Sequence, residues 1–256
     1  MSSLRHPGPH AGSGCRPERL PTLLDESRQE LAERGWTLIR GVPFLRHGVP
    51  GERMVLDFAS CFGVPSARDG GRALWPVAPV PEPPAATLSA RTGPTGFHTD
   101  AQYHAEPEDY VCLFGVRPAA DGGETRLLRY DAAVAALQER GDGPELLAAL
   151  CLPIWRWQLP AAFAATTATA LSAPTAALAG GGRIRWRSDN LEPPAQLPPD
   201  MATRIDAAFE HAAGSVSLAL EPADVLVIDN HRVMHARTAF SDPRRLLLRV
   251  RLWESA

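Results

Sequence analysis

"DVLVIDNHRVMHARTAFSDPRRLLLRVRLW", residues 224–253, decides the fold class of this chain. Two runs rich in Val, Ile and Leu, "DVLVIDN" at 224–230 and "RLLLRVRLW" at 245–253, flank a stretch that carries two histidines, so each run reads as a strand. In the second run side chains alternate between faces: Leu246, Leu248, Val250 and Leu252 share one, Leu247, Arg249, Arg251 and Trp253 the other. The first face belongs to a core. The second has two readings. It is the solvated face of an edge strand, on which Arg251 is a surface arginine, or it looks into the molecule, where the planar fork of Arg249 clamps a carboxylate with two parallel hydrogen bonds.

Outward from there, "DYVCLFGV" at 109–116 is a buried strand, "GGETRLL" at 122–128 a turn feeding a strand, and "SVSLAL" at 215–220 and "WTLIRGVP" at 36–43 further strands. Helical patterns occupy "LLDESRQELAERG" at 23–35, ending on Gly35, "RMVLDFASCFG" at 53–63, "YDAAVAALQER" at 130–140, "PELLAALC" at 144–151 and "DMATRIDAAFEHA" at 200–212. Strands without strict strand-helix alternation predict a mainly β fold, an antiparallel core with flanking helices. Residues 1–20, rich in Pro, Gly, Ser and Arg, read as a flexible leader, and 21–256 as a single domain. Within it, 161–182 is biased towards Ala and Thr and reads as a lid, an insertion or a mobile connection.

A second stretch raises the question of chemistry. "GFHTDAQYHAEPEDY", residues 96–110, places two histidines, two aspartates and two glutamates in fifteen positions of a chain with 21% charged residues. In an extended segment His98 and Asp100 point to one side and Thr99 to the other, so the pair can share a ligand. His231 and His235 follow the strand at 224–230, and two imidazoles with one carboxylate on one face, leaving positions open, is the ligand set of non-haem Fe(II) oxygenases.

Composition narrows the partners. With 26 basic and 29 acidic residues the net charge is -3, which gives no electrostatic footprint for nucleic acid or an anionic membrane. A small-molecule substrate is expected instead. Every basic residue is arginine, so arginine alone says little. Cys15, Cys61, Cys112 and Cys151 form no CxxC pair, which suggests reduced thiols in a cytoplasmic protein, with Cys61 in the core. No apolar run reaches the roughly 18 residues of a membrane span.

The chain resembles the Fe(II)- and 2-oxoglutarate-dependent dioxygenases of the taurine dioxygenase and clavaminate synthase-like superfamily. "HTD" at 98–100, "DGGETRL" at 121–127, "NHRVMHARTAF" at 230–240 and "RRLLLRV" at 244–250 carry the likeness, with Thr125 27 residues after His98 and Arg249 14 after His235. The resemblance implies a double-stranded β-helix, a jelly-roll, cupin-like barrel with helices outside. It implies that His98, Asp100 and His235 hold Fe(II), and that Thr125 and Arg249 hold the distal carboxylate of 2-oxoglutarate. Arg245, of the same strand parity as Arg249, either helps bind that cosubstrate or is exposed. His231 is structural or braces the site together with Asn230 and Arg237. O2 is the second cosubstrate, and 2-oxoglutarate leaves as succinate and CO2 while a C–H bond of a small molecule is hydroxylated. The implied substrate is a free or carrier-linked amino acid or derivative in specialised metabolism. Related halogenases place a small residue where Asp100 stands, so hydroxylation or another oxidation is expected over chlorination.

For substrate contacts the expected residues are Gln102 and Tyr103, with His104, at the mouth, Asp189 against an ammonium group and Arg91 against a carboxylate. Asp189 reads equally as a turn residue before "LEPP". Two other functions are open: a non-catalytic or degenerate jelly-roll metal-binding module, and a cupin-like non-oxidative metalloenzyme. The intact set of three ligands with Thr125 and Arg249 argues against the first, and an anion clamp is not required by the second.

Overall fold

The computed structural model describes residues 20–68, 70–80, 88–160 and 171–255. The leader expected at 1–20 and the first part of the 161–182 segment therefore lie almost wholly outside the described residues. In chain order the elements are α1 (Leu20–Arg34), β1 (Trp36–Ile39), α2 (Glu52–Ala59), β2 (Val64–Pro65), β3 (Leu74–Val77), β4 (Thr95–His98), β5 (Tyr110–Arg117) and β6 (Thr125–Arg129). They continue with α3 (Tyr130–Gln138), α4 (Gly143–Cys151), β7 (Arg156–Trp157), β8 (Leu178–Ala179), β9 (Arg183–Ile184), β10 (Leu191–Glu192) and α5 (Met201–Glu210). The last four are β11 (Val216–Leu218), β12 (Val225–Asp229), β13 (Val233–Arg237) and β14 (Leu246–Trp253).

All named pairings are antiparallel. One sheet runs β1-β12-β5-β14-β2, with β3 also on β14, and the other runs β11-β6-β13-β4. Between them lies an apolar layer in which Val111, Leu113, Leu226 and Ile228 of the first sheet meet Leu127 and Val233 of the second. The outer side of the first sheet packs on α1 and α2 through Leu24, Leu31, Val55 and Phe58. The outer side of the second is covered by α3, α4 and α5 through Leu137, Leu146, Leu150 and Phe209. The fold is thus mainly β with helices on its two outer faces, as expected.

β14 is not the edge strand that one reading of its alternation allowed. It pairs with β5 on one side and with β3 and β2 on the other, so neither edge is open, and none of its residues is exposed. Arg251, read as a candidate surface arginine, is 6% exposed. β13 is hidden in the sequence because all five of its residues are buried. A strand covered on both faces shows no period-two alternation. The "WTLIRGVP" strand stops at Ile39, since Gly41 is left-handed and Pro43 opens a 3-10 turn. Residues 171–182 are tied down by bridges Trp155↔Thr175 and Gln158↔Leu171 and by the β8-β9 pair. Cys61, expected in the core, is only partly buried, and Cys61, Cys112 and Cys151 are all unpaired thiols.

Gly35 shows how tightly the layers meet. It takes φ +83° where α1 ends, its amide donating to Leu31 O at 2.9 Å, and a Cβ there would stand 2.6 Å from Val233 Cγ2. Only glycine satisfies both demands.

Candidate metal centre

β4 and β13 pair so that His98 lies directly opposite His235. Their rings stand 4.2 Å apart between centroids. Asp100 follows β4 by two residues, and its Oδ1 lies 4.0 Å from His98 Nε2 and 3.9 Å from His235 Nε2. Donor atoms of these three residues all fall within 4.8 Å of one another, and they are the one such cluster among the described residues. The donor set, two imidazole nitrogens and one carboxylate oxygen converging from one side, fits a divalent non-haem iron.

The surroundings prepare each donor. His98 Nδ1 donates to Gly96 O at 2.9 Å, which turns the lone pair of Nε2 towards the other two residues. Burial, then the charges of His235 and Arg187, hold the His98 pKa down at about 3. His235 is lowered too, by burial above all. Burial alone would raise the Asp100 carboxyl, but Arg249, helped by His235 and Arg251, pulls it well below the usual range. Near neutral pH the trio is two neutral imidazoles and one carboxylate, the forms that ligate a metal.

Backbone geometry fixes the triplet. Asn230, 1% exposed, accepts from the Asp100 amide at 2.7 Å and donates to Asp100 O at 3.0 Å and Glu108 O at 2.8 Å. Ala101 just beyond is left-handed, φ 58°, an uncommon state for a non-glycine residue. Thr99, the spacer, faces away as its parity predicts: its amide donates to Trp186 O at 2.8 Å and its Oγ1 accepts from Trp186 N at 3.2 Å. Asn230 therefore braces the site directly. Arg237 braces a different part, donating to Arg91 O at 2.6 Å and Gly93 O at 2.7 Å, and so holds the 88–93 segment against the cleft.

The cleft beside the donors is lined by His98, Asp100, His235, Thr125, Arg187, Arg237, Arg245 and Arg249 with apolar Val77, Leu113 and Leu247. Thr125, Arg245 and Arg249, expected together, are together. Their situations differ. Arg249 Nη1 stands 2.9 Å from Asp100 Oδ2. Arg245, 3% exposed, is not the surface residue its other reading allowed, and its Nε and Nη1 have no hydrogen-bond partner. Its guanidinium lies over the Phe240 ring, 4.8 Å from the centroid. Burial and then Arg237 lower its pKa to about 10, which leaves it charged. A buried cation with two open donors beside a threonine hydroxyl is built to receive an anion.

Other expected residues are placed elsewhere. Gln102 is fully buried and donates to Asn190 Oδ1 at 2.8 Å, behind the cleft and not at its mouth. The left-handed turn at Ala101 sends it there. Tyr103 packs in the core with Phe97 and Trp157, its ring 4.6 Å from that of His104. Arg91 contributes its carbonyl to Arg237, and its side chain is not among the cleft-lining groups described. Asp189 is gripped by Arg187 through both carboxylate oxygens, at 2.9 Å for Nη2 to Oδ2, and it is Arg187 that lines the cleft. Sequence reasoning misses Arg187. The signal lies in "RIRWR" at 183–187, whose alternation puts Arg187 on one side with Arg185. His231 joins Asp109 at 3.0 Å and is no part of the donor cluster.

The family described as taurine catabolism dioxygenase TauD, TfdA family matches the chain over residues 13–162 and 181–251. Among solved structures the chain is similar to an asparagine oxygenase in complex with Fe(II), 2S,3S-3-hydroxyasparagine and succinate, with 22% identity, a TM-score of 0.73, and coverage of 93% of this chain and 80% of that one. It is similar as well to the non-heme iron oxygenase OrfP in complex with Fe and alpha-ketoglutaric acid, with 22% identity, a TM-score of 0.66, and coverage of 93% and 81%. At these identities the likeness is one of fold. No helix among the described residues is long and apolar enough to cross a membrane.

Proposed function

The chain belongs to the taurine catabolism dioxygenase TauD, TfdA family, and from that premise we propose that it couples oxidative decarboxylation of 2-oxoglutarate, to succinate and CO2, with C–H hydroxylation or a related oxidation of a small molecule. One observation carries the reading: His98, Asp100 and His235 converge their donors within 4.8 Å on a cleft that Arg245 and Thr125 also line. The two facing antiparallel sheets with the donors at their opening support a double-stranded β-helix.

Bound iron, with O2 and 2-oxoglutarate, supplies the oxidising power. The protein's residues do the rest. His98 and His235 would offer Nε2 and Asp100 Oδ1 to the metal, while the Arg249 guanidinium beside Oδ2 holds the carboxylate in place. Arg245 and Thr125 take the distal carboxylate of 2-oxoglutarate, because Arg245 has donors open where Arg249 is already engaged. Arg249 then serves chiefly to orient Asp100. With Asp100 present no position is freed for halide, which favours hydroxylation.

The substrate is an amino acid or derivative in specialised metabolism. The asparagine and arginine products bound to the similar oxygenases support this choice. The Arg187 guanidinium at the cleft wall, paired with Asp189, supports it as well. The test is anaerobic loading with Fe(II) followed by 2-oxoglutarate, which should change the visible spectrum, and then a screen of amino acids for substrate-triggered succinate. A protein that binds Fe(II) but shows no spectral response to 2-oxoglutarate would falsify the reading.

A further inference from the structure

Ala101 directly follows Asp100 and is one of two non-glycine residues with positive φ among the described residues, the other being Ala223. A left-handed alanine is strained, and the state persists only where its surroundings impose it. The turn it opens is closed by the His104 amide, which donates to Ala101 O at 2.9 Å. The stronger constraint comes from elsewhere in the chain.

Arg185 Nε donates to Gln102 O at 2.7 Å and Nη1 to Ala105 O at 3.4 Å, while Nη2 donates to Gln102 O and His104 O. One guanidinium thus grips three carbonyls among the four residues that follow Ala101. A planar fork suits this task, because its donors point in fixed directions and can hold several acceptors at once. The fork is itself located: it lies over the Trp157 ring, 5.5 Å from the centroid, and the Arg185 amide donates to Ala177 O at 2.8 Å. Burial lowers its pKa to about 10, which leaves it charged near neutral pH.

The turn matters for what precedes it. On the upstream side the Asp100 amide and carbonyl are both held by Asn230. On the downstream side the segment depends on the turn at Ala101. If Ala101 relaxed, the peptide joining it to Asp100 would swing and carry Oδ1 away from the two histidine nitrogens that it faces at 4.0 and 3.9 Å. We propose that Arg185 is a positioning residue for the metal centre: by gripping the carbonyls of Gln102, His104 and Ala105 it holds Ala101 left-handed and keeps Asp100 in line with the histidines. The proposal rests on the triad being a metal site.

The experiment titrates Co(II) anaerobically into metal-free protein and reads the dissociation constant from visible absorption and calorimetry. Wild type is compared with Arg185→Met, Ala101→Gly and the double variant. Arg185→Met should weaken Co(II) by about 10–100-fold, the range for losing a group that orients a ligand, and Ala101→Gly alone should stay within roughly threefold of wild type. Glycine takes the left-handed state without steric cost, so the double variant should bind about tenfold more tightly than Arg185→Met. Unchanged affinity in a folded Arg185→Met overturns the proposal. So does a double variant no tighter than Arg185→Met, since a purely structural role gives no rescue. An Ala101→Gly that tightens Co(II) as much in the wild-type background overturns it too, because the gain is then independent of Arg185. If Arg185→Met does not fold, the same comparison is made with Arg185→Lys, which lacks the fork: a loss that Ala101→Gly reverses supports the proposal, and any other result overturns it. Failure of the wild type to bind one Co(II) is a different result, because it removes the metal-site reading itself.

Discussion

The two faces of β14 share one backbone and one set of neighbours, yet they do opposite work. Leu246, Leu248, Val250 and Leu252 pack with Phe58 and Phe62 in an apolar layer, where adhesion scales with area removed from water. Leu247, Arg249, Arg251 and Trp253 look inward, where Arg249 meets Asp100 and Arg251 meets Glu108. The first face gives stability and asks little of geometry. The second yields little net stability, because desolvating the ions offsets their attraction, but it sets where each charge stands.

That contrast can be broken most forcefully at the donors. His98→Ala or Asp100→Ala should reduce succinate formation to background while the melting transition of metal-free protein survives. If either variant turned over normally, the inward face would have no chemistry to organise. On the apolar face, Leu252→Ala should cost about 2–5 kcal/mol, the range for fully buried leucines, measured by denaturant unfolding, with metal stoichiometry of the folded fraction unchanged. A loss of metal there would mean that the faces are not independent.

Within the inward face, Arg245→Leu should raise KM for 2-oxoglutarate by about 10–100-fold, as loss of a charged hydrogen bond predicts, with kcat much less affected. Arg249→Ala should weaken metal and cosubstrate together, because Arg249 holds Asp100. Parallel titrations of Co(II) and 2-oxoglutarate separate the two outcomes. pH gives a smaller effect. His98 titrates at about 3 in the folded chain against a usual 6.5, so between those values the unfolded chain binds more protons. Stability of metal-free protein should therefore fall as pH drops below about 6.5, a slope that His98→Asn should flatten in thermal melts. Smallest of all, His231→Gln should leave metal affinity unaltered and change stability by no more than about 1 kcal/mol.

Much of the inward face is legible in the sequence. Period-two parity places His98 with Asp100 and sorts β14 into its faces, since an extended chain leaves side chains no other choice. The resemblance picks His235 over His231. What escapes depends on partners distant in sequence. The surface reading of Arg251 stays open in the sequence because nothing near it announces Glu108, its partner from a strand-flanking loop far earlier in the chain. Gln102 is expected at the mouth because the turn at Ala101, φ 58°, is carried by a residue that gives no turn signal. Arg245 and Arg249 look alike by parity, and only burial and ion pairing tell them apart.

Thr99 has a consequence for how such a site changes over generations. It joins the donor triplet to Trp186 through both its amide and its hydroxyl, and Trp186 is anchored in turn by its indole on Asp206. Arg187 stands one residue beyond that anchor and reaches the cleft wall. A mutation at 187 or 189 can thus reshape what the cleft accepts while the joint at 186 keeps the donors in register. The molecule thus keeps the frame of the donors and the wall of the cleft on adjacent residues, so the wall can change without the frame being rebuilt.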